Sequence, residues 1–336
     1  MSTESRSAAP FRWQDGERLV VFGRGTLADA RELLGPGYIL LTTPRAAGAA
    51  PDLLEHAGAV HEVGAGRVDE LAEALRAQVD GRLLVALGGG RVIDVAKALA
   101  AADPPRVVAA VPTTLSGAEM TSVHRHASGV AFETPRVRPA IIVNDPSLSA
   151  SQPVQELAQS AANALGHAVE GPATPLRNPV AELAALDAAR LISESFDTPS
   201  PDEHARDRLA LAALLAGYTI GSTGYGLHHV LAQTLARFAG VAHGAANAIM
   251  LPQSLPALAE RSPEWNARLG HVLGSEPSRL ATRLRDLTGV SRLRDAGVSE
   301  AELDDCVEQA SHRPELHMTP PAADLEELRA LYQAAY

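Results

Sequence analysis

The side chains with the clearest capacity for chemistry lie in the second half of the chain, in segments rich in alanine and glycine. Asn163 and His167 are four residues apart in NALGH, and His229 and Gln233 have the same spacing in HHVLAQ. Residues four apart share one face of a helix. His243 follows beside a glycine in VAHGAANAIMLP. A lone histidine in such a helix is usually structural, but three of them among small neighbours favour a shared polar site.

Two loops in the first half resemble parts of a nucleotide site. The glycines of VALGGG stand between an apolar run and a helical pattern, where backbone N–H groups and a helix N-terminus can hold a pyrophosphate. Backbone geometry alone also explains such glycines, so this turn by itself leaves phosphate binding open. VPTTLSGAEMTS offers further hydroxyl groups after a second apolar run. Because ligands of open α/β sheets bind where strands end, the two loops together predict a nucleotide site.

The periodicity of the first half predicts alternating strands and helices. The predicted strands are 18–23, 38–43, 60–64, 82–90, 107–114 and 138–145, with helices over 26–35 and 67–79. The first 18 residues have no apolar core of a secretory signal and are predicted to be a mobile lead-in.

After residue 145 the pattern becomes helical and predicts no further strand. The predicted helices are 151–171, 178–196, 202–221, 224–240 and 324–336, with another opening beside His243. Asn178 is a good N-cap, and Pro179 occupies the first helical position. Turn residues gather at 146–152, so we predict an α/β domain over 1–148 and an all-α domain over 149–336.

The composition is that of an ordinary globular protein. Of 336 residues, 46% are hydrophobic and 21% are charged. The net charge of -11 and the absence of a long basic run argue against a nucleic-acid binder. The sequence has no uninterrupted run of 18 apolar residues, so no membrane span is predicted. The single cysteine, Cys306, fits a reducing compartment and a structural thiol, so we predict a cytoplasmic protein.

Taken together, these segments resemble the iron-containing (group III) alcohol dehydrogenase family of the dehydroquinate synthase-like superfamily. The markers are GGGRVID, PTTLSGAE, NDPSL, NALGHAVE with the following NP, and GLHHVLAQTL joined to AHGAANAIMLP. Their order and spacing match from about Phe11 to the C-terminus. The resemblance implies a Rossmann-like nucleotide-binding domain, a helical domain that completes the active site in the cleft between them, NADH or NADPH as cofactor, and a homodimer.

In metal-dependent members of this family, one aspartate and three histidines bind iron or zinc. The matching positions here are Asn163, His167, His229 and His243. A neutral amide is a poorer ligand than carboxylate for a hard cation. A histidine common in the family, one turn beyond the third ligand, is here Gln233. These replacements resemble the maleylacetate reductases, which reduce an activated C=C bond and generally need no metal, so no metal is expected.

The resemblance therefore implies hydride transfer from NADH or NADPH to an activated C=C or C=O bond of a small substrate, which can carry a carboxylate. Asn163, His167, His229 and His243 are the candidate catalytic residues. Arg91 and Gly171–Pro172 depart from the reductase pattern, which leaves another activated alkene or ketone open.

The resemblance also assigns roles in binding. The expected cofactor-binding residues are Thr42, Thr43, Gly88, Gly89, Gly90, Asp94, Thr113, Thr114 and Ser116. Thr42 and Thr43 replace the acid that often faces the ribose, which removes repulsion of a 2′-phosphate. Gln233 and Arg125 are the candidate substrate-binding residues. A solvated basic turn explains Arg125 equally well.

Two alternatives stay open. The first is a metal-dependent alcohol dehydrogenase that uses only His167, His229 and His243, since three histidines and a water form a known zinc arrangement. The second is a binding protein that keeps the fold without catalysis. The two polar loops of the first half argue against the second alternative.

Overall fold

The computed structural model describes residues 8–336, which contain one sheet of seven strands. The strands are β1 (Phe11–Asp15), β2 (Arg18–Phe22), β3 (Ile39–Thr42), β4 (Ala59–Glu62), β5 (Leu84–Gly88), β6 (Val108–Pro112) and β7 (Ile141–Asn144). Their order across the sheet is β1-β2-β7-β6-β5-β3-β4. The six strands from β2 to β7 are parallel to one another, and β5 and β6 are fully buried, as apolar strands covered on both faces must be. The predicted α/β sheet is confirmed.

The order of the strands places a topological switch point between β3 and β5. From β3 the chain moves outward to β4, and it then returns across β3 to β5 and continues through β6 to β7. Neighbouring crossovers that leave in opposite directions open a crevice at the carboxyl ends of the strands, where ligands bind. Thr42 is level with Leu87 in this register, so the end of β3 lies beside the start of the glycine turn.

The prediction of an unstructured lead-in is wrong for its described part. Phe11–Asp15 form β1, which pairs with β2 in an antiparallel hairpin that turns at Gly16, a residue with φ of 61°. The strand is mostly exposed at the edge of the sheet. Its alternation is short and mostly polar, which is why the sequence did not show it. The first seven residues lie outside the described part of the chain.

Two compact units emerge from the fold. The first comprises the chain up to Ser151 together with Asp202–Leu214, and the second comprises Gln152–Pro201 and Leu215–Tyr336. The helices that accompany the sheet are α1 (Ala30–Leu34), α2 (Pro44–Ala49), α3 (Pro51–Glu55), α4 (Val68–Arg76) and α5 (Gly90–Ala102). Short helices α2 and α3 fill a stretch for which the sequence predicted no element.

The remainder of the chain is helical, as predicted. Its helices are α6 (Val154–Glu170), α7 (Pro179–Ser195), α8 (Glu203–Thr223), α9 (Leu227–Phe238), α10 (His243–Arg261), α11 (Pro263–Leu273), α12 (Pro277–Leu287), α13 (Glu300–Ser311) and α14 (Leu325–Ala335). The Asn178 side chain accepts the Ala181 N–H at 3.0 Å, which confirms the predicted cap of α7. Helices α11 to α13 were not predicted. No helix of residues 8–336 is long and apolar enough to cross a membrane.

Helix α10 packs against α6, α9 and α12, and this group positions the histidines. The approach of α6 to α9 depends on Gly166, because a Cβ atom there would lie 2.7 Å from Nε2 of His228. The start of α10 similarly approaches α6, where a Cβ on Gly244 would lie 3.0 Å from Gln159. Small residues therefore bring three helices close enough for their polar side chains to meet.

Candidate active site

The glycine turn and the threonine loop are neighbours in the first unit. Gly88 is level with Pro112 at the ends of β5 and β6, and the Thr113 N–H donates to the Gly88 carbonyl at 3.0 Å. A Cβ on Gly89 would lie 3.0 Å from the Thr114 side chain, and one on Gly90 would lie 3.1 Å from Cβ of Ser116. The two loops thus form one surface, next to the first turn of α5.

Three other predicted cofactor residues have structural partners. Thr43 caps α2 by accepting the Ala46 N–H at 3.3 Å. Thr42 is buried at the end of β3 and donates to the Thr43 carbonyl at 3.3 Å. Asp94 lies in the second turn of α5, which begins at Gly90, and its Oδ1 is 2.7 Å from Nζ of Lys97. Each of these three side chains thus has a local partner within the chain.

In the second unit, the structure brings Asn163, His167 and His229 together as buried side chains on α6 and α9. Each of the three is at most 8% exposed. The rings of His167 and His229 stack with their centroids 4.8 Å apart and an interplanar angle of 24°. Nδ1 of His167 and Nε2 of His229 are buried without a hydrogen-bond partner among the described residues. Such orphaned nitrogens are costly and call for a ligand or water.

Glu170 orients this histidine pair. Its carboxyl is fully buried and accepts the backbone N–H of His228 at 2.5 Å, that of His229 at 3.3 Å, and Nδ1 of His229 at 2.7 Å. Burial raises the pKa of Glu170, whereas His228 and the backbone N–H groups of α9 and Gly226 favour its ionised form. Because the backbone contacts of this carboxyl are donors, we assign Glu170 as carboxylate, and Nδ1 of His229, which faces it, as protonated. Nε2 of His229 is then a lone-pair acceptor.

The electrostatic setting keeps the buried imidazoles neutral. Burial lowers the pKa of His229 to about 3, with a further contribution from His243. Burial and the neighbouring histidines hold the pKa of His167 well below its ordinary value. With their pKa values held low, His167 and His229 are expected to carry no extra proton near neutral pH. As neutral rings they can still offer an N–H or accept one, as a neutral histidine does when it polarises a carbonyl.

His228, the neighbour of His229 on α9, also lies against the histidine pair. Its ring lies edge-on to that of His229, with centroids 4.9 Å apart, and its Nδ1 is 2.9 Å from Oγ of Ser254. Burial lowers the pKa of His228 to about 3. The residue is fully buried in the packing of α9 against α10, so it is a poor neutral control for mutagenesis.

His243 begins α10 and is exposed, unlike the other candidates. Its Nε2 lies 3.2 Å from Nδ2 of Asn247, one turn along the same helix. His243 contributes to the low pKa of both His167 and His229, which places it within electrostatic reach of the pair. Its exposure allows exchange of protons with solvent.

Gln233, one turn beyond His229, belongs to a separate polar network. Its Oε1 accepts from Nη2 of Arg313 at 3.0 Å, and Arg313 also contacts Glu315 and the hydroxyl of Tyr225. The Tyr225 ring lies 5.8 Å from that of His229. The Gln233 oxygen, which was predicted to bind substrate, therefore already accepts a hydrogen bond from Arg313. Arg313, which was not predicted, brings a cation close to α9.

Arg125, the other candidate for a substrate carboxylate, lies in the first unit. Its Nη1 is 3.8 Å from Oδ1 of Asp69, and its side chain is 40% exposed. Asp69 is held more tightly by Arg67 at 2.6 Å. Arg125 thus keeps an exposed guanidinium near an acid that another arginine already neutralises, and its role stays a prediction.

The donor set differs from that of the metal-dependent members of the family. Among residues 8–336, no group of three or more histidine, cysteine, aspartate or glutamate side chains is arranged to hold a metal ion. Asn163 stands where a charged oxygen ligand is expected, and the carboxylate of Glu170 binds Nδ1 of His229 and backbone N–H groups. A neutral amide is a poorer ligand than carboxylate for a hard cation.

Glu170 was not predicted as a site residue, although the local sequence indicates that it lies beside His167. Glu170 follows His167 by three residues and Asn163 by seven in NALGHAVE, so all three share one face of α6. A carboxylate beside a buried histidine is a common orienting group. Nothing in the sequence pairs Glu170 with His229, 59 residues later, because that contact depends on the packing of α6 against α9.

Comparison with known proteins shows the family to which the chain belongs. Residues 157–336 match the Fe-containing alcohol dehydrogenase family, C-terminal, and residues 18–146 match iron-containing alcohol dehydrogenase. The chain is 33% identical over 276 residues to maleylacetate reductase 2 of Cupriavidus pinatubonensis, with 76% of each chain covered. It is 28% identical over 353 residues to maleylacetate reductase of Rhizobium sp. strain MTP-10005, covering 97% and 98%.

A solved structure agrees over the whole length. The crystal structure of maleylacetate reductase from Agrobacterium tumefaciens superimposes with a TM-score of 0.81 at 28% identity, covering 98% of this chain and 99% of that one. The chain belongs to the iron-containing alcohol dehydrogenase family, and it is an NAD(P)-dependent oxidoreductase. The family and the fold predicted from the motifs are confirmed.

The first prediction concerns Gly89→Val. The new side chain would begin 3.0 Å from Thr114 and fill the surface between the two loops. We expect the affinity for NADH and NADPH, measured by fluorescence titration, to fall roughly tenfold or more, because the backbone can no longer approach a pyrophosphate. Gly81→Val, at a glycine with open space around it, is the matched control. Equal affinity in both variants would refute the placement.

The second prediction concerns acid. The pKa values of His228 and His229 are about 3, against 6.5 ordinarily, so the unfolded chain binds more protons between these limits. The free energy of unfolding, from urea titrations, should therefore fall as the pH is lowered from 7 towards 4, with a slope approaching about 1.4 kcal/mol per pH unit for each such histidine. His228→Gln should reduce the slope, and His271→Ala, at an exposed position on α11, should not. A flat profile would contradict the buried neutral imidazoles.

Proposed function

We propose that this protein is a maleylacetate reductase-like enzyme that transfers a hydride from NADH or NADPH to an activated C=C or C=O bond of a small substrate, without a metal. The observation that carries the proposal is the stacked pair of neutral imidazoles, His167 and His229, buried beside Asn163. The names of the relatives support the same reaction class.

The first unit would bind the dinucleotide. The glycine turn at the end of β5 and the start of α5 supplies N–H groups and a helix N-terminus for the pyrophosphate. Thr113, Thr114 and Ser116 supply hydroxyls on the adjoining loop. The residues at the end of β3, Thr42 and Thr43, carry no charge, so a 2′-phosphate meets no repulsion and NADPH should be accepted along with NADH.

The second unit would bind the oxygen of the substrate on which negative charge develops. When the hydride reaches the electrophilic carbon, electrons move to the conjugated carbonyl and form an enolate or alkoxide. The amide of Asn163 and an N–H of neutral His167 are donors that can stabilise this oxygen. Burial strengthens such donors because water does not compete with them.

His229 would have a different task. Its Nε2 is a lone-pair acceptor in the assigned tautomer, so it accepts a hydrogen bond from an enol or hydroxyl form of the bound molecule. It cannot itself donate a proton to the enolate. The proton that completes the reduction would come from a group in exchange with water, and exposed His243 is the candidate.

Metal-free chemistry follows from the donor set. Charge stabilisation that a Lewis acid supplies in metal-dependent members of the family would here come from hydrogen-bond donors. This demands a substrate that is already activated, such as a ketone or an alkene conjugated to a carbonyl, because neutral donors stabilise less charge than a cation does. Maleylacetate, the substrate in the names of the relatives, belongs to this class.

The direct test is oxidation of NADH and NADPH, followed by absorbance, with maleylacetate and with simple aldehydes, each before and after chelation. The proposal predicts turnover of maleylacetate or another activated acceptor that survives the chelator. Activity confined to simple aldehydes and abolished by the chelator would instead support a metal-dependent alcohol dehydrogenase. Wild-type protein that binds neither nicotinamide cofactor would support a non-catalytic binding protein.

The third prediction concerns the metal. We expect purified active protein to contain much less than one equivalent of iron or zinc by elemental analysis. Asn163→Asp should raise zinc affinity, measured by equilibrium dialysis, because it adds a charged oxygen beside two buried imidazoles. Asn178→Asp, at the cap of α7, is the control and should leave zinc binding unchanged. One equivalent of metal in active wild-type enzyme would show the proposal to be wrong.

The fourth prediction separates the histidines. His229→Ala and His243→Ala should each lower the turnover number by roughly 10²-fold or more, with little effect on cofactor binding, because His229 would orient the bound molecule and His243 would donate the proton. His229→Ala should also lower the melting temperature, because it leaves the buried Glu170 with one donor fewer. His243→Ala should not, because that side chain is exposed.

Two further variants complete this comparison. His271→Ala, at an exposed position on α11, should leave both turnover and melting temperature unchanged. His228→Ala should destabilise the fold by roughly 2–4 kcal/mol, as large-to-small changes in a packed core do, and so cannot serve as a neutral control. Wild-type turnover in His229→Ala and in His243→Ala would remove both residues from the mechanism.

A further inference from the structure

Lys97 is the only lysine in the chain, although the chain has 29 lysine and arginine residues together. It lies on α5, two turns after the glycine turn, and is completely buried. Lysine is almost never fully buried unless its ammonium is paired. A protein that otherwise uses arginine for every cation therefore holds its one lysine where solvent cannot reach it.

The Lys97 ammonium is surrounded by acceptors from the loop that follows β6. Nζ lies 3.0 Å from the Ala118 carbonyl, 3.3 Å from that of Thr121 and 2.8 Å from that of Val123. The Thr121 hydroxyl is 3.4 Å away, and Oδ1 of Asp94 is 2.7 Å away on the same helix. One nitrogen thus ties three backbone carbonyls of the segment 118–123 to α5.

The segment 118–123 held by Lys97 adjoins the surface that the glycine turn and the threonine loop form. The N–H of Ala118 donates to Oγ of Ser116 at 3.4 Å. A Cβ on Gly90 would lie 3.1 Å from Cβ of Ser116 and 3.8 Å from that of Ala118. The segment that Lys97 holds therefore packs directly against the third glycine of the turn, and a displacement of that segment would move both loops.

A lysine suits this position better than an arginine. Its ammonium is a compact point charge with three donors that can be directed at acceptors on several sides. A guanidinium is planar, and its five donors form a fixed fork that cannot converge on three carbonyls around one point. A neutral side chain of the same length would leave the carbonyls and the Asp94 carboxylate without their cation.

We propose that Lys97 is a positioning residue for nicotinamide cofactor binding. It does not touch the cofactor, and it holds the loop 113–123 in the shape that receives the dinucleotide. The inference rests on the proposed function, because it concerns the same cofactor surface. It extends that function by proposing that the buried Lys97 ammonium keeps the loop ordered in the absence of cofactor. Cofactor binding then does not have to include the entropy loss of ordering the loop.

The sole lysine permits a direct test on wild-type protein. Protein grown with lysine labelled with ¹³C at Cε yields one lysine side-chain signal in a carbon–proton spectrum, and no assignment is needed. Titration with NADPH should shift this signal along a curve with the same Kd as a fluorescence titration of the same sample. A signal that stays unmoved at saturation would overturn the proposal.

Two variants separate positioning from stability. Lys97→Met should weaken NADPH binding roughly tenfold or more in samples shown to be folded by circular dichroism, because the loop is no longer pre-organised. Arg76→Met removes an ion pair between α4 and Asp103 in the same unit, away from the loop, and should lower the melting temperature without changing the Kd. Lys97→Met with wild-type Kd would overturn the proposal alone. A wild-type protein that binds neither NADH nor NADPH would overturn the proposed function and this inference together.

Discussion

The contact on which the histidine site depends is the one between the buried carboxylate of Glu170 and Nδ1 of His229, 2.7 Å apart. A buried charge is tolerated only when it is paired and hydrogen-bonded. Glu170 meets this condition with two backbone N–H groups of α9 and one ring nitrogen, so it joins the end of α6 to the start of α9. The orientation of the His229 ring, its stacking on His167 and the direction of its free nitrogen all follow from this carboxylate.

Neutrality is the second constraint. Asn163, His167 and His229 bring no net charge into a region from which water is largely excluded, and burial keeps the pKa of each imidazole low. These three side chains bring no charge of their own to a hard cation, and the Glu170 carboxylate beside them is engaged by His229 and by backbone N–H groups. Under the proposed function they would instead hold a polarised carbonyl group, which needs hydrogen-bond donors. The amide of Asn163 in place of a carboxylate would then change the kind of substrate that the site activates.

Much of this account could be predicted from the sequence, and the failures have physical causes. The buried strands and glycine turn carry strong local signals, so the sheet and the family were predicted correctly. β1 was missed because a short polar edge strand has almost no periodic signal. Gln233 looked available because its spacing says nothing of Arg313, which is 80 residues away in the sequence. The role of Lys97 was not predicted, since its carbonyl partners lie on a loop whose path the sequence does not specify.

The protonation of His229 is the most direct test of the central claim that burial keeps this imidazole neutral while Glu170, bound at Nδ1, leaves Nε2 as the acceptor. Nitrogen-15 spectra of histidine-labelled protein report the state of each ring nitrogen, and the His229→Gln variant identifies the signal. The account predicts a protonated Nδ1 and an unprotonated Nε2 at pH 7, unchanged on acidification to pH 5. A ring protonated at both nitrogens, or at Nε2 alone, would contradict it.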